Sequence, residues 1–119
     1  MAVIPFTRQA MNIEGDVYKA TPIAEGDSTG VLTLNEAEND VTVHIYGIVG
    51  GTTFTVKGSL VGTQFNTLDD AYGVAMSYAA IDNVVKPVGP AVNAIKGVST
   101  GGSGTAITMD VYITRKVRP

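Results

Sequence analysis

The chain has 119 residues, enough for one domain with a sandwich-sized core and too few for two independent ones. Charged residues make up 16% and the formal net charge is -3, with the basic residues dispersed except for Arg115, Lys116 and Arg118. That balance excludes the concentrated cationic patch that phosphate neutralisation requires, so no nucleic acid partner is expected. The absence of cysteine excludes a disulfide framework. No run approaches the roughly 20 apolar residues of a membrane span, and MAVIPFTRQ lacks the basic start and the apolar stretch of about 7–15 residues of a signal peptide. Neither a membrane partner nor export is expected.

Residues 1–8 read as an extended N-terminal arm ahead of a sandwich domain over 9–119. Pro5 blocks helix and holds Ile4 extended, and the apolar Val3, Ile4 and Phe6 need a cover. Two readings stay open: an edge strand on the chain's own sandwich, or an arm that reaches a neighbouring subunit, with Arg8 and Gln9 at its exit. The next predicted strand covers 16–21, with Tyr18 and Ala20 opposed to Val17 and Lys19 and Pro22 limiting its place in a sheet. Residues 24–30 and 35–40 are polar, acidic loops on either side of a short strand over 30–34. Neither loop has the D-x-[DN]-x-[DN]-G spacing that would aim several oxygens at one ion, so no metal is expected there.

The organising stretch is 41–68. Val41, Val43 and Ile45 share one face and Thr42, His44 and Tyr46 the other, the period of two of a half-buried strand. In TFTVKGSL, Phe54, Val56 and Leu60 point one way, and Gly50-Gly51 between the two strands predicts a tight hairpin joining them. Gly58 falls on the apolar face, where a missing side chain marks a bulge or a close approach, and Phe65 is expected to cap the core. Over 69–86 helical and strand patterns compete; Gly73 costs a helix about 1 kcal/mol relative to Ala, so a strand with Val74, Met76 and Tyr78 alternating is the reading. Asp69 and Asp70 read as an exposed turn pair. Pro87 and Pro90 bracket a loop. Residues 92–98 and 105–114 form the final pair of strands, joined by a glycine-rich tip that lacks both the Gly-Lys-Ser/Thr ending of a phosphate loop and the helix it leads into. Ile107, Met109, Val111 and Ile113 alternate with Thr108, Asp110, Tyr112 and Thr114, the longest clean alternation of the chain and the mark of a central strand. The fold class is therefore all-β, a single antiparallel β-sandwich of jelly-roll or immunoglobulin-like type.

No catalytic constellation emerges, and the chain is expected not to be an enzyme. His44 is the only histidine and there is no cysteine to pair with it, so neither a Cys/His pair nor a multi-histidine metal site can be built within one chain. No serine lies in a G-x-S-x-G elbow. No cofactor is expected.

The run VKGSLVGTQFNTL, followed by NAIKGVSTGGSGTAITMDVYIT, resembles a compact β-sandwich found among structural proteins of tailed bacteriophages, most of all capsid decoration (cement) proteins. The resemblance implies a virion protein on the capsid surface, made in the host cytoplasm, that bridges subunits of the major capsid protein as a homo-oligomer, with a trimer favoured. The contact residues would be Val3, Ile4, Phe6 and Arg8 in the arm and Arg115, Lys116 and Arg118 at the C-terminus. A neck or tail component is the nearest alternative. The other is a carbohydrate or cell-surface binding module, with Tyr46, Tyr72 and Tyr78 as its stacking platform.

Overall fold

Strict alternation of apolar and polar side chains commits each long strand to burying one face, and two sheets meet over those faces. The computed structural model describes residues 2–9, 15–34, 39–48, 51–79, 83–89, 92–103 and 106–115. Its strands are β1 (Val3–Ile4), β2 (Thr7–Gln9), β3 (Gly15–Ile23), β4 (Ser28–Thr29), β5 (Leu32–Thr33), β6 (Asn39–Tyr46), β7 (Thr53–Ser59), β8 (Asn66–Thr67), β9 (Ser77–Ala79), β10 (Asn83–Pro87), β11 (Ala94–Thr100) and β12 (Ile107–Arg115). Among the described residues there is no helix.

One sheet, centred on β12, runs β10-β6-β12-β3-β2. The other, centred on β11, runs β1-β4-β11-β7-β8, with β5 also on β11 and β9 also on β7. From β3 onward the chain alternates between layers: β3, β6, β10 and β12 lie in the first sheet, and β4 and β5, then β7 to β9, then β11 lie in the second. This is jelly-roll connectivity. Val43, Ile45, Met109 and Val111 from one sheet and Phe54, Val56 and Ile95 from the other are completely buried between them.

Two expected hairpins are corrected by this topology. Residues 41–46 and 53–60 do not pair: β6 bonds β12 and β10, whereas β7 bonds β11. The link between them crosses the end of the sandwich, carrying the fully buried Ile48 and Thr52 with it, and turns at Gly47 (φ +83°), which lies against the Ala106 carbonyl. Gly50 lies outside the described residues. The last two strands are likewise in different layers, with β12 central in its sheet as its alternation requires. The physical reason is the same in both cases. A period of two specifies which face is buried, and two such faces are buried equally well side by side in one sheet or opposed across a core.

Three local expectations also change. Leu60 is 66% exposed because the strand ends at Ser59, whose Oγ accepts the N–H groups of Val61 (3.1 Å) and Gly62 (2.8 Å) and turns the chain outward. Within 69–79 only Ser77–Ala79 is strand; Met76 and Tyr78 face the core, but Val74 is 58% exposed. Asp70 is not an exposed turn residue but a buried one, 4% accessible. The gap at Gly58 is filled by Leu68, whose methyl carbon would stand 2.7 Å from a Cβ there.

The middle of β11 needs a glycine for steric reasons. Gly97 faces the core between β7 and β12, and a Cβ on it would overlap the Phe54 ring and come within 2.7 Å of Met109 Sδ. Between β4 and β5 the ladder to β11 is interrupted, and the fully buried Thr29 repairs it: its Oγ1 accepts the Gly97 N–H at 2.9 Å and donates to the Gly30 carbonyl at 2.8 Å. Thr29→Val keeps the volume and orphans that N–H, so it is expected to lower stability by about 1–3 kcal/mol, read from urea unfolding midpoints at constant slope.

Both open sides of the sandwich are closed. On one, residues 2–9 serve both layers: β1 lies parallel on β4 (Val3↔Ser28, Ile4↔Thr29) and β2 antiparallel on β3, with Ile4 and Phe6 packed half-buried against the core. On the other, residues 69–75 arch from the β11 sheet to β10, where Ala71 N–H donates to the Pro87 carbonyl (3.0 Å) and Gly89 N–H to the Asp69 carbonyl (3.0 Å).

Candidate interaction surfaces

The arm residues divide by environment. Val3 is 67% exposed, while Ile4 and Phe6 spend their apolar surface on the chain's own core. Arg8 lies on β2 with its guanidinium on the Asp16 carboxylate (Nη2 to Oδ1 2.7 Å, Nε to Oδ1 3.0 Å), an exposed pair that holds the Arg8 pKa above its ordinary value. Register places this pair near the C-terminal end of β12, since Asp16 lies opposite Ile113 and Gly15 opposite Thr114. Arg115 closes β12 opposite Asn39; its side chain, with Lys116 and Arg118, lies outside the described residues. The strand ends carrying Arg8 and Arg115 thus share one end of the β12 sheet, and Val3 belongs to the other sheet.

The outer face of the β12 sheet is polar and aromatic. Cross-strand register sets Lys19, Asp110, His44 and Val85 in one row over β3, β12, β6 and β10. His44 Nε2 donates to Asn83 Oδ1 at 2.6 Å, and its ring lies 4.9 Å from that of Tyr46. One Asp110 oxygen is shielded and without a hydrogen-bond partner. On the outer face of the β11 sheet, Lys96 Nζ sits 4.4 Å over the half-buried Phe65 ring. Among the described residues no group of three His, Cys, Asp or Glu could hold a metal ion.

The three tyrosines proposed as a stacking platform are not brought together. Tyr46 lies on the outer face of β6, Tyr72 is 78% exposed on the arch, and Tyr78 is buried in the core. Alternation in 74–78 groups Val74, Met76 and Tyr78 on one side, of which only Met76 and Tyr78 are buried, and it could not show that the preceding turn would carry Tyr72 out.

The turn at Asp70 was legible in the sequence, but not the burial of its carboxylate inside it. Asp70 Oδ1 accepts the N–H groups of Tyr72 (2.8 Å) and Val74 (3.1 Å), Gly73 N–H donates to the Asp70 carbonyl (3.0 Å), and Asp70 N–H to that of Val74 (2.8 Å). Gly73 takes φ +80° to complete it. The signal was present as Asp70 followed three residues later by glycine, the composition of an Asx turn. Two large apolar side chains are thereby fixed facing solvent.

Burial pushes the Tyr78 phenol above its ordinary pKa, with the Asp70 charge adding to the shift, and its hydroxyl has no partner. The neutral form is favoured in the folded state, so stability is flat below the unfolded value of about 10 and falls as pH rises past it toward the raised folded value. Tyr78→Phe is expected to remove its share of that alkaline loss and to cost less than about 1 kcal/mol at pH 7, because no hydrogen bond is broken. Urea titrations at pH 7 and above 10 on both proteins measure the two effects.

The strand order and the closed sides define a jelly-roll β-sandwich protein. No protein-family model matches the chain, and no curated protein matches it. Among solved structures, it is similar to the SPBc2 prophage-derived protein YomS, at 10% identity and TM-score 0.61 over 89% of this chain and 100% of that one. It is also similar to a protein of Bacillus endospore appendages, which form a family of disulfide-linked pili, at 9% identity and TM-score 0.53 over 93% of this chain and 100% of that one. At such identities the similarity shows the fold.

Proposed function

We propose that this chain is a structural virion protein that decorates a phage head and stabilises it by bridging subunits of the major capsid protein. The observation that carries the reading is a jelly roll of which 89% is matched by the whole of a prophage-derived protein. Supporting it are the low charge content and the large apolar side chains held in solvent, Val3, Leu60, Val61, Tyr72 and Val74. Its work would be mechanical. Each copy adds buried apolar and hydrogen-bonding area across a joint between capsid subunits, and a symmetric trimer would present the same patch to equivalent joints. No reaction, cofactor or metal enters this account. The protein would be made in the host cytoplasm and end on the capsid surface.

The contacts assigned to the head are Val3 and Arg8 on the arm with Arg115, Lys116 and Arg118 at the C-terminus; Ile4 and Phe6 hold the arm in place. Sedimentation of purified protein with heads that lack it is expected to show saturable binding, weakened at least tenfold by Val3→Asp combined with Arg8→Glu. Undiminished binding by that variant would remove the arm from the interface. Binding to tails and not heads would move the protein to the neck or tail.

A further inference from the structure

Strand edges are the usual route by which sheet proteins join, and three of the described edges of this one are blunted in part. On β10, Val88 N–H turns inward to the Val41 carbonyl, so by alternation Pro87 faces outward, where it has no N–H, and its carbonyl is taken by Ala71. On β2, the Thr7 carbonyl is taken by the side chain of Gln9 (3.2 Å). On β1, the Ala2 and Ile4 carbonyls face β4, leaving Val3 outward with Pro5 next in line. Each of these three edges therefore offers an added strand fewer bonds than its length would allow.

Exchanging one is different. β1 is parallel to its neighbour, while every other described strand pairing is antiparallel. No tight turn ties it to β4, so its register is set by the contacts themselves. Those contacts are the Ala2 N–H on the Asp27 carboxylate (2.8 Å), Ser28 N–H on the Ala2 carbonyl (3.0 Å), Gly30 N–H on the Ile4 carbonyl (2.8 Å), and Ile4 against the core. An identical segment from another copy satisfies each of them equally.

We propose that residues 2–4 are exchanged between copies of this chain in solution, each lying in the same parallel register on the β4 edge of a neighbour, with Pro5-Phe6 as the hinge and β2 remaining on its own β3. The structure thus supplies both the strand and the socket of a self-association, and the partner is a second copy. The inference deepens the assembly reading above, and it is tested without any phage particle.

The chain's lack of cysteine makes the test direct. Val3→Cys and Ser28→Cys place thiols at directly paired positions. The single variants, first checked to melt like the parent protein, are mixed at high concentration and oxidised. Exchange predicts a disulfide-linked heterodimer in at least tenfold excess over a control mixture of Ser28→Cys with Val85→Cys, an exposed site on the far edge, and linked multimers from the Val3→Cys/Ser28→Cys double variant. A double variant that runs only as an internally linked monomer, or a mixture no richer in heterodimer than the control, overturns the proposal. Head binding by the wild-type protein is a separate measurement, so either idea can fail alone.

Discussion

Gly97→Ala is expected to destabilise the protein by about 1–3 kcal/mol although it adds a single methyl group. The methyl would enter the space held by the Phe54 ring, its diagonal neighbour on β7, and by Met109 Sδ from the opposite sheet. Both are fully buried and have nowhere to go. A substitution in β11 is thus felt across the core, at the point where the layers approach over a bare backbone. The test is a double-mutant cycle with Phe54→Leu. Alone, that change leaves a cavity and lowers stability; together with Gly97→Ala it frees the space the methyl needs. The two effects are expected to fall short of additivity by about 0.5–3 kcal/mol. Additive losses in urea unfolding would show that Phe54 does not occupy the Gly97 space.

Asp70→Ala is expected to cost about 2–4 kcal/mol, since the carboxylate is buried and accepts from two backbone N–H groups, each such charged bond contributing about 1.5–3 kcal/mol. The same substitution should open the turn at 71–74 to protease, because the cage that folds it is gone. Asp70→Asn keeps one acceptor oxygen in place and should lose less stability and much less protease resistance. It should also draw the Tyr78 pKa back toward its ordinary value, because Asp70 contributes to that shift. Limited proteolysis with mass spectrometry locates the cut. Unchanged resistance in Asp70→Ala would mean that Gly73 and the backbone bonds alone hold the arch.

Much of the fold is written in the alternation of side chains. The inward sets Val43 and Ile45, Phe54 and Val56, and Ile107, Met109 and Val111 were legible because each strand has one apolar face, and all are completely buried. Pairing partners were not legible. Val41 to Tyr46 and Thr53 to Ser59 carry the same period, and only the link, with Ile48 and Thr52 sent into the core, directs them to opposite layers. Short edge strands were equally opaque. β1, β4, β5 and β8 are two residues each, too short for any periodicity, and exist because neighbouring strands offer bonds. The surface was read least well. Tyr72, Val74 and Leu60 look like core residues by composition, and their exposure is decided by two side chain to backbone turns, at Asp70 and Ser59, that a hydrophobic pattern does not encode.

These features join in one physical picture: a core fixed by opposed apolar faces, sides closed by the arm and the arch, and a lightly charged surface that leaves apolar side chains rigidly presented. The proposed role in a virion is tested most directly by finding a phage or inducible prophage that carries the gene and counting copies of this chain in its gradient-purified particles, using quantitative mass spectrometry against the major capsid protein. The account predicts a fixed, near-integer ratio that survives repeated purification and is retained in isolated heads. Absence from the particles, or a trace amount that declines with each purification, would contradict it.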